Sequence, residues 1–324
     1  TLLLKLLSQK NLILTMNMKK NKKNQILVAG TMAFDEIITK SANSGRIIGG
    51  AATYISYSAS FFTNNIYVSS IIGNDFPFKF LDEMNSKGIL TEMIEISNEK
   101  KSFFWKGEYK NDFNTRVTHD TQLNALELYK PKLKEDLNNF KLIMLGNLDP
   151  GIQMDILSQV ENDDKFVILD TMNYWIDNTE KKLFEIISKV NLIVINDEES
   201  KMIAKSDSLQ KCAEHIMNCG PDYVIIKKGS EGAELFSKQK KSIIPAFNIK
   251  KVMDPTGAGD TFVGGICGYL NSRPKIDFVE LHNSMIYGTV IASFCIEEFG
   301  LLGLQKLNKE NIESRIKTFN KYLL

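Results

Sequence analysis

Nine residues, Asp254-Pro255-Thr256-Gly257-Ala258-Gly259-Asp260-Thr261-Phe262, have the types and the spacing to do chemistry. Two glycines stand within three residues, an acid follows them directly, and an apolar run from Phe262 to Leu270 then reads as a helix. Glycine lets backbone N–H groups converge on one point, and a helix N-terminus adds positive potential there, so an anion fits. An acid beside that point repels an anion, which makes Asp260 a poor choice for binding alone. It suits a general base that takes a proton from a hydroxyl attacking a phosphoryl group held in the hole. An Asp near a helix N-cap after an ordinary Gly-rich turn accounts for the same letters.

The rest of the chain must position that stretch. Its 324 residues, 43% hydrophobic and 24% charged, suit a soluble globular enzyme and not a disordered chain. A formal net charge of +1 provides no global field for nucleic acid or a membrane surface. Four cysteines (Cys212, Cys219, Cys267, Cys295) lack metal-type pairing, and the three histidines are too scattered to join them in a zinc site. Free thiols in a reducing cytoplasm are the expectation. The leucine-rich start, Thr1 to Leu14, is broken by Lys5 and Lys10 and is too short to span a bilayer. Residues 1–24 are expected to be an extension outside the fold, and residues 25–324 one domain.

Within that domain apolar strands alternate with helices, and polar residues gather where strands end. Gln25 to Gly30 reads as a buried parallel strand, with Asp35 just past its carboxyl end, where open α/β sheets bind ligands. Asp35 suits a carboxylate accepting hydrogen bonds from two hydroxyls of a polyol, or a solvated turn acid. Gly49-Gly50 precede a helical stretch, Tyr54 to Phe62, and allow close backbone approach to a ligand. The strand Phe140 to Leu145 leads to Asn147, and Phe166 to Leu169 leads to Asp170 and Asn173. These polar residues suit the ligand crevice or structural turns. Leu192 to Ile195 leads to Asn196 and Glu199, a capping-box pattern. Tyr223 to Ile226 leads to Lys227-Lys228-Gly229-Ser230-Glu231-Gly232, and further helices are expected at Phe262 to Leu270 and Met285 to Phe294. Alternating aromatics between Ser102 and Val117 read as short antiparallel strands. With residues 36–48, the segment 102–118 forms an expected β-lid. No linker divides the chain, which predicts a doubly wound α/β fold with a mostly parallel central sheet flanked by helices.

The stretch from Asp254 to Phe262 resembles the C-terminal signature of the ribokinase-like (PfkB) family of carbohydrate and nucleoside kinases, and the resemblance extends over roughly residues 25 to 305. It implies an ATP-dependent phosphotransferase acting on a hydroxymethyl group of a sugar or sugar-like molecule. Asp260 would be the base, and the N–H groups of Gly257, Ala258, Gly259 and Asp260 the anion hole. Asp35, Gly49 and Gly50 would bind substrate, with Asn147 and Asp170 at the same crevice. Asn196 and Glu199 match the family's Asn-x-x-Glu motif, which organises magnesium, with Glu199 acting through water. Lys228, Gly229 and Gly232 fall in the family's Thr-Leu-Gly-x-x-Gly segment near the ATP phosphates and ribose, with Lys227 standing where the Thr would be. Asn283 would line the adenine pocket, and Asp254 is the candidate for a potassium site. One departure concerns the substrate: ribokinase-type sugar sites carry an Asn where this chain has Tyr54. That departure and the aromatic lid keep open a nucleoside kinase of the adenosine type, with a non-catalytic ligand-binding relative as a third alternative. A cytoplasmic enzyme is expected; homodimerisation through the lid is common in the family, and the sequence gives no independent evidence for it.

Overall fold

The computed structural model describes residues 25–40, 42–110, 113, 116–134 and 140–323; the expected extension over residues 1–24 lies outside them. In strand β1 (Ile26–Ala29) all four residues are buried, and neighbours along the strand enter different cores. Ile26 and Val28 join one apolar cluster, and Leu27 and Ala29 the other. The division repeats in β8 (Leu142–Leu145), where Leu142 and Met144 oppose Ile143 and Leu145. Continuous apolar runs of this kind are what a parallel sheet covered on both faces requires.

The central sheet also contains β4 (Ile66–Gly73), β5 (Ile89–Ser97), β9 (Phe166–Leu169), β10 (Leu192–Asn196), β11 (Tyr223–Lys227), β12 (Ala233–Ser237) and β13 (Lys241–Ile244). Its nine strands lie in the order β13-β12-β11-β10-β9-β8-β1-β4-β5. All neighbours pair parallel except β12 and β13, which form an antiparallel edge. The chain leaves β1 toward β4 and β5, then returns on the other side at β8. That reversal opens a crevice at the carboxyl ends of β1 and β8, the place where doubly wound sheets hold ligands.

Four other strands form a second sheet, in the order β3-β2-β6-β7: β2 (Ala33–Ile38), β3 (Asn43–Gly49), β6 (Phe103–Tyr109) and β7 (Arg116–Gln122). It matches the expected lid, but it begins at Ala33 and ends at Gln122. Asp35 is therefore part of a strand of this sheet and not of the connection after β1.

One face of the central sheet is covered by α1 (Ala51–Ala59), α2 (Phe78–Ser86), α8 (Ala258–Leu270), α9 (Phe278–Cys295), α10 (Leu302–Gln305) and α11 (Lys309–Tyr322). The other carries α3 (Pro150–Ser158), α4 (Asn173–Asn178), α5 (Glu180–Ile187), α6 (Asp197–Ala204) and α7 (Leu209–Asn218). Helix α8 starts four residues before the expected Phe262. Apolar periodicity begins only at Phe262, whereas the first turn is Ala258-Gly259-Asp260, which leaves no apolar trace. Its start is set by Gly257, the N-cap, at φ +74°. The Thr261 amide donates to the Gly257 carbonyl at 2.8 Å, closing the first turn.

Helix α8 is clamped between α1 and α9. A β-carbon on Gly264 would lie 2.3 Å from the Ile55 carbonyl oxygen, and one on Gly265 would lie 2.8 Å from the Gly288 α-carbon. Both obstacles are backbone and cannot swing aside. Gly264→Ala is therefore expected to destabilise the protein by about 1–3 kcal/mol through overpacking. An unchanged midpoint in urea unfolding would show that α1 and α8 are not held this closely.

Candidate active site

The N-terminus of α8 points into the crevice. Among the described residues, the amides of Gly257, Gly259 and Asp260 donate to no acceptor within the protein. Ala258 differs from its neighbours, because its amide donates to the Pro255 carbonyl at 3.2 Å. Three amides are thus free at this helix end, and Ala258 shapes the turn. A β-carbon at Gly257 would fall 2.5 Å from the Tyr54 ring, so the left-handed backbone and this contact both require glycine there.

Three carboxylates and one lysine stand behind the hole. Asp170 follows β9, Glu199 lies in the first turn of α6, and Lys227 ends β11. Lys227 Nζ is 3.4 Å from Asp170 Oδ1. Asn196 and Glu199 form the capping box: the Asn196 side chain accepts from the Glu199 amide at 2.8 Å, and Glu199 Oε2 accepts from the Asn196 amide at 2.8 Å. The motif thus fixes the helix end and aims a carboxylate at the crevice. Burial pushes the Glu199 carboxyl up to about 7, against the pull of Lys227. Asp260 is also raised to about 7, by burial and then by the charge of Asp170, with Lys227 opposing. Asp170 is raised by burial, with Lys227 again opposing. Burial lowers Lys227, but Asp170, Glu199 and Asp260 together hold it above the usual lysine range.

The acceptor side is built from the lid sheet and α1. Asp35 is buried on β2, and its Oδ2 lies 1.8 Å from where a Gly49 β-carbon would be, so the carboxylate occupies space that only glycine leaves open. Burial, then the charges of Asp254 and Asp260, push Asp35 up to about 7; the Gly50 amide and the lid residue Arg116 pull it back. Asp35 and Asp260 therefore feel each other across the crevice. Tyr54 is 1% exposed and its hydroxyl has no partner among the described residues. Burial and then the charge of Asp35, followed by Cys295, Asp254 and Asp260, drive its pKa up. The lid reaches the signature stretch through Tyr109, whose hydroxyl accepts from Thr256 Oγ1 at 3.2 Å.

The other candidates have contacts and positions of their own. Asp254 is fully buried, and its oxygens accept from the amides of Thr256 and Gly300 at 2.8 and 3.0 Å, which pins the turn before the hole. Asn147 accepts from Trp175 Nε1 at 2.8 Å and donates to Met172 Sδ, so both ends of its amide are engaged. Lys228 turns away from the crevice and pairs with Glu231 and Glu234 at 2.9 and 3.3 Å. Gly229 and Gly232 form the tight turn between β11 and β12, and Asn283 lies on α9. Arg116 and Tyr109 went unassigned in the sequence; the aromatic alternation marks their sheet but not which residues face the crevice. Among the described residues no three His, Cys, Asp or Glu side chains converge as a metal cage. Asp170 and Glu199 present oxygen donors only, which fits a magnesium ion that keeps most of its waters.

Among the described residues no helix is long and apolar enough to cross a membrane. Comparison with known proteins agrees with the geometry. The model of the pfkB family carbohydrate kinases matches residues 21–306. A cytidine kinase of Thermococcus kodakarensis is 25% identical over 79% of this chain and 92% of its own length. An inositol 3-kinase of Arabidopsis thaliana is 20% identical over 91% of this chain and 82% of its own. The fold matches that of a Burkholderia thailandensis nucleoside kinase solved with inosine, at a TM-score of 0.75 and 20% identity, over 92% of this chain and 99% of that one. With its family model spanning the crevice, both sheets and the Asp254–Phe262 stretch, the chain belongs to the pfkB family of carbohydrate kinases, phosphotransferases with an alcohol as acceptor.

Proposed function

We propose that the protein phosphorylates a hydroxymethyl group of a sugar or sugar-like molecule with ATP, using Asp260 as general base. The observation that carries this is the free amides of Gly257, Gly259 and Asp260 around one helix end, with the Asp260 carboxylate beside them and Asp35 opposite. Asp35 orients the acceptor through its hydroxyls, and Asp260 accepts the proton of the hydroxyl that attacks. The amides stabilise charge on the transferred phosphoryl group, where positioning and electrostatics provide most of the catalysis. Asp170 and Glu199 would hold magnesium through water, and the ion would neutralise and orient the nucleotide phosphates. Each Asp254 oxygen accepts one amide hydrogen bond and keeps a lone pair, so Asp254 would remain the residue to hold a potassium ion beside the turn.

A nucleoside acceptor is the second reading. Tyr54 favours it, because a large ring fills the position of the ribokinase-type Asn and walls the acceptor side with aromatic surface. The cytidine kinase and the inosine-bound nucleoside kinase among the similar proteins point the same way. One ATP-coupled panel of ribose, fructose, 2-keto-3-deoxygluconate, inositol, adenosine and cytidine separates the two, and turnover of nucleosides alone would replace the first reading by the second.

Asp260→Asn is expected to fold and to lose turnover by roughly 10²–10⁴-fold, the usual worth of a general base. A near-normal kcat would remove Asp260 from that role. With Asp260 raised to about 7, kcat/KM should climb as pH rises through about 7 and level off above it. A profile flat from pH 5 to 8 would contradict this.

The same shift ties folding to pH. A carboxyl whose pKa is higher folded than unfolded binds more protons in the folded state. Its stabilising contribution is complete below the ordinary carboxylate range and is lost as pH rises through about 7. The ligand-free protein is therefore expected to lose stability from about pH 4 to pH 7, and less steeply in Asp260→Asn. Denaturant titrations across that range check it, and a stability that rises from pH 5 to 8 in both proteins would refute the assignment.

A further inference from the structure

Lys227 is a charged side chain that this mechanism does not use. It ends β11 beside Asn196 of β10, with its side chain only 19% exposed. Its ammonium sits 3.1 Å from where a β-carbon on Gly259 would stand, hence against the first turn of α8 and its free amides. Asp170 Oδ1, at 3.4 Å, is its ion-pair partner, farther away than the roughly 2.7–2.9 Å of a full charge-assisted hydrogen bond. Carboxylates face it from three elements: Asp170 after β9, Glu199 on α6 and Asp260 on α8. A cation that only had to neutralise Asp170 could close on it. This one stands between Asp170 and the hole.

We propose that Lys227 is a catalytic residue that pairs with the terminal phosphoryl group of the nucleotide, and that Asp170 holds it in place until the nucleotide arrives. The proposal rests on the kinase reading above and adds a residue to it. In the transfer, a bond forms between the acceptor oxygen and the terminal phosphorus as the bond from that phosphorus to the diphosphate leaving group breaks. The acceptor's proton passes to Asp260, and Lys227 stays protonated throughout. A compact ammonium with three rotatable donors suits a group whose oxygens move during the reaction.

The test uses Lys227→Met together with Lys227→Gln, because the first leaves a buried carboxylate unpaired, whereas a Gln amide can still donate to Asp170 without supplying a charge. Affinities for magnesium-ADP and for a non-hydrolysable magnesium-ATP analogue are measured by calorimetry, and turnover by the coupled assay. In both variants kcat should fall roughly 10²–10³-fold, as when one donor of an oxyanion hole is removed, and the analogue should weaken about tenfold or more while ADP changes little. Equal weakening of ADP and the analogue would reduce Lys227 to a structural counter-ion and overturn the proposal, as would a kcat close to that of the unaltered protein. Those outcomes leave the kinase reading standing. An unaltered protein that binds neither nucleotide would overturn both.

Discussion

Carboxylates crowded around one helix end are the constraint on which the rest of the structure depends. Asp35, Asp170, Glu199, Asp254 and Asp260 all lie in or beside the crevice, and burial raises each of them. Like charges at short range in a medium of low dielectric cannot all stay ionised. Lys227 is the cation among them, with Arg116 reaching over from the lid. A site charged in this way accepts phosphates only when cations accompany them, so that positive charge on the nucleotide and the free amides of α8 make up what the side chains lack. The surplus of acid also keeps Asp260 close to its titration point near neutrality, where the base proposed for it would be most effective.

Such crowding is stable only if nothing near it can relax, and the fold provides that rigidity by close backbone contact. Helix α8 is locked to α1 at Gly264 and to α9 at Gly265, so the amides at its start cannot drift. Gln153 donates to the carbonyls of Gly146 and Asp170, tying together the ends of β8 and β9. Asp254 pins the turn before the hole to Gly300, and Thr256 joins that turn to Tyr109 of the lid sheet. Thr256 adjoins Gly257, and one of the Gln153 bonds is to Asp170 itself.

Much of this was legible in the residues, and the parts that were not share a physical cause. Glycines leading into an acid point to the free amides because backbone chemistry depends on local sequence, and the doubly wound sheet follows from apolar runs alternating with helices. The Asn196–Glu199 box is present as the cap its spacing predicts, and its carboxylate is buried beside Lys227 and Asp170. What stayed hidden depends on direction. Lys227 and Lys228 are adjacent, but neighbouring side chains at a strand end point opposite ways, so one enters the crevice and the other meets Glu231 and Glu234. The Ala258 amide is lost to Pro255, and the Asn147 amide to Trp175 and Met172, through contacts that no spacing rule encodes. Asp35 belongs to the lid because β2 pairs with β3 and β6, a pairing set by tertiary structure.

The two halves of the crevice are specified by different means, and they meet at Tyr54. The phosphoryl half is made of backbone amides, so any change of its glycines removes the geometry itself. The acceptor half is made of side chains on a separate sheet and on α1. Tyr54 spans both: its ring rests on Gly257, while its hydroxyl faces Asp35, Asp254 and Asp260 without a partner. A buried hydroxyl left unpaired costs about 1–3 kcal/mol, a cost lifted by any polar group that reaches it. An Asn at this position would be too short to rest on Gly257 and would leave the acceptor side wider and more polar. The side chain that most alters the shape offered to the acceptor is thus also the one that buttresses the hole. In this chain, a change of acceptor and the integrity of the phosphoryl site cannot be varied independently at that position.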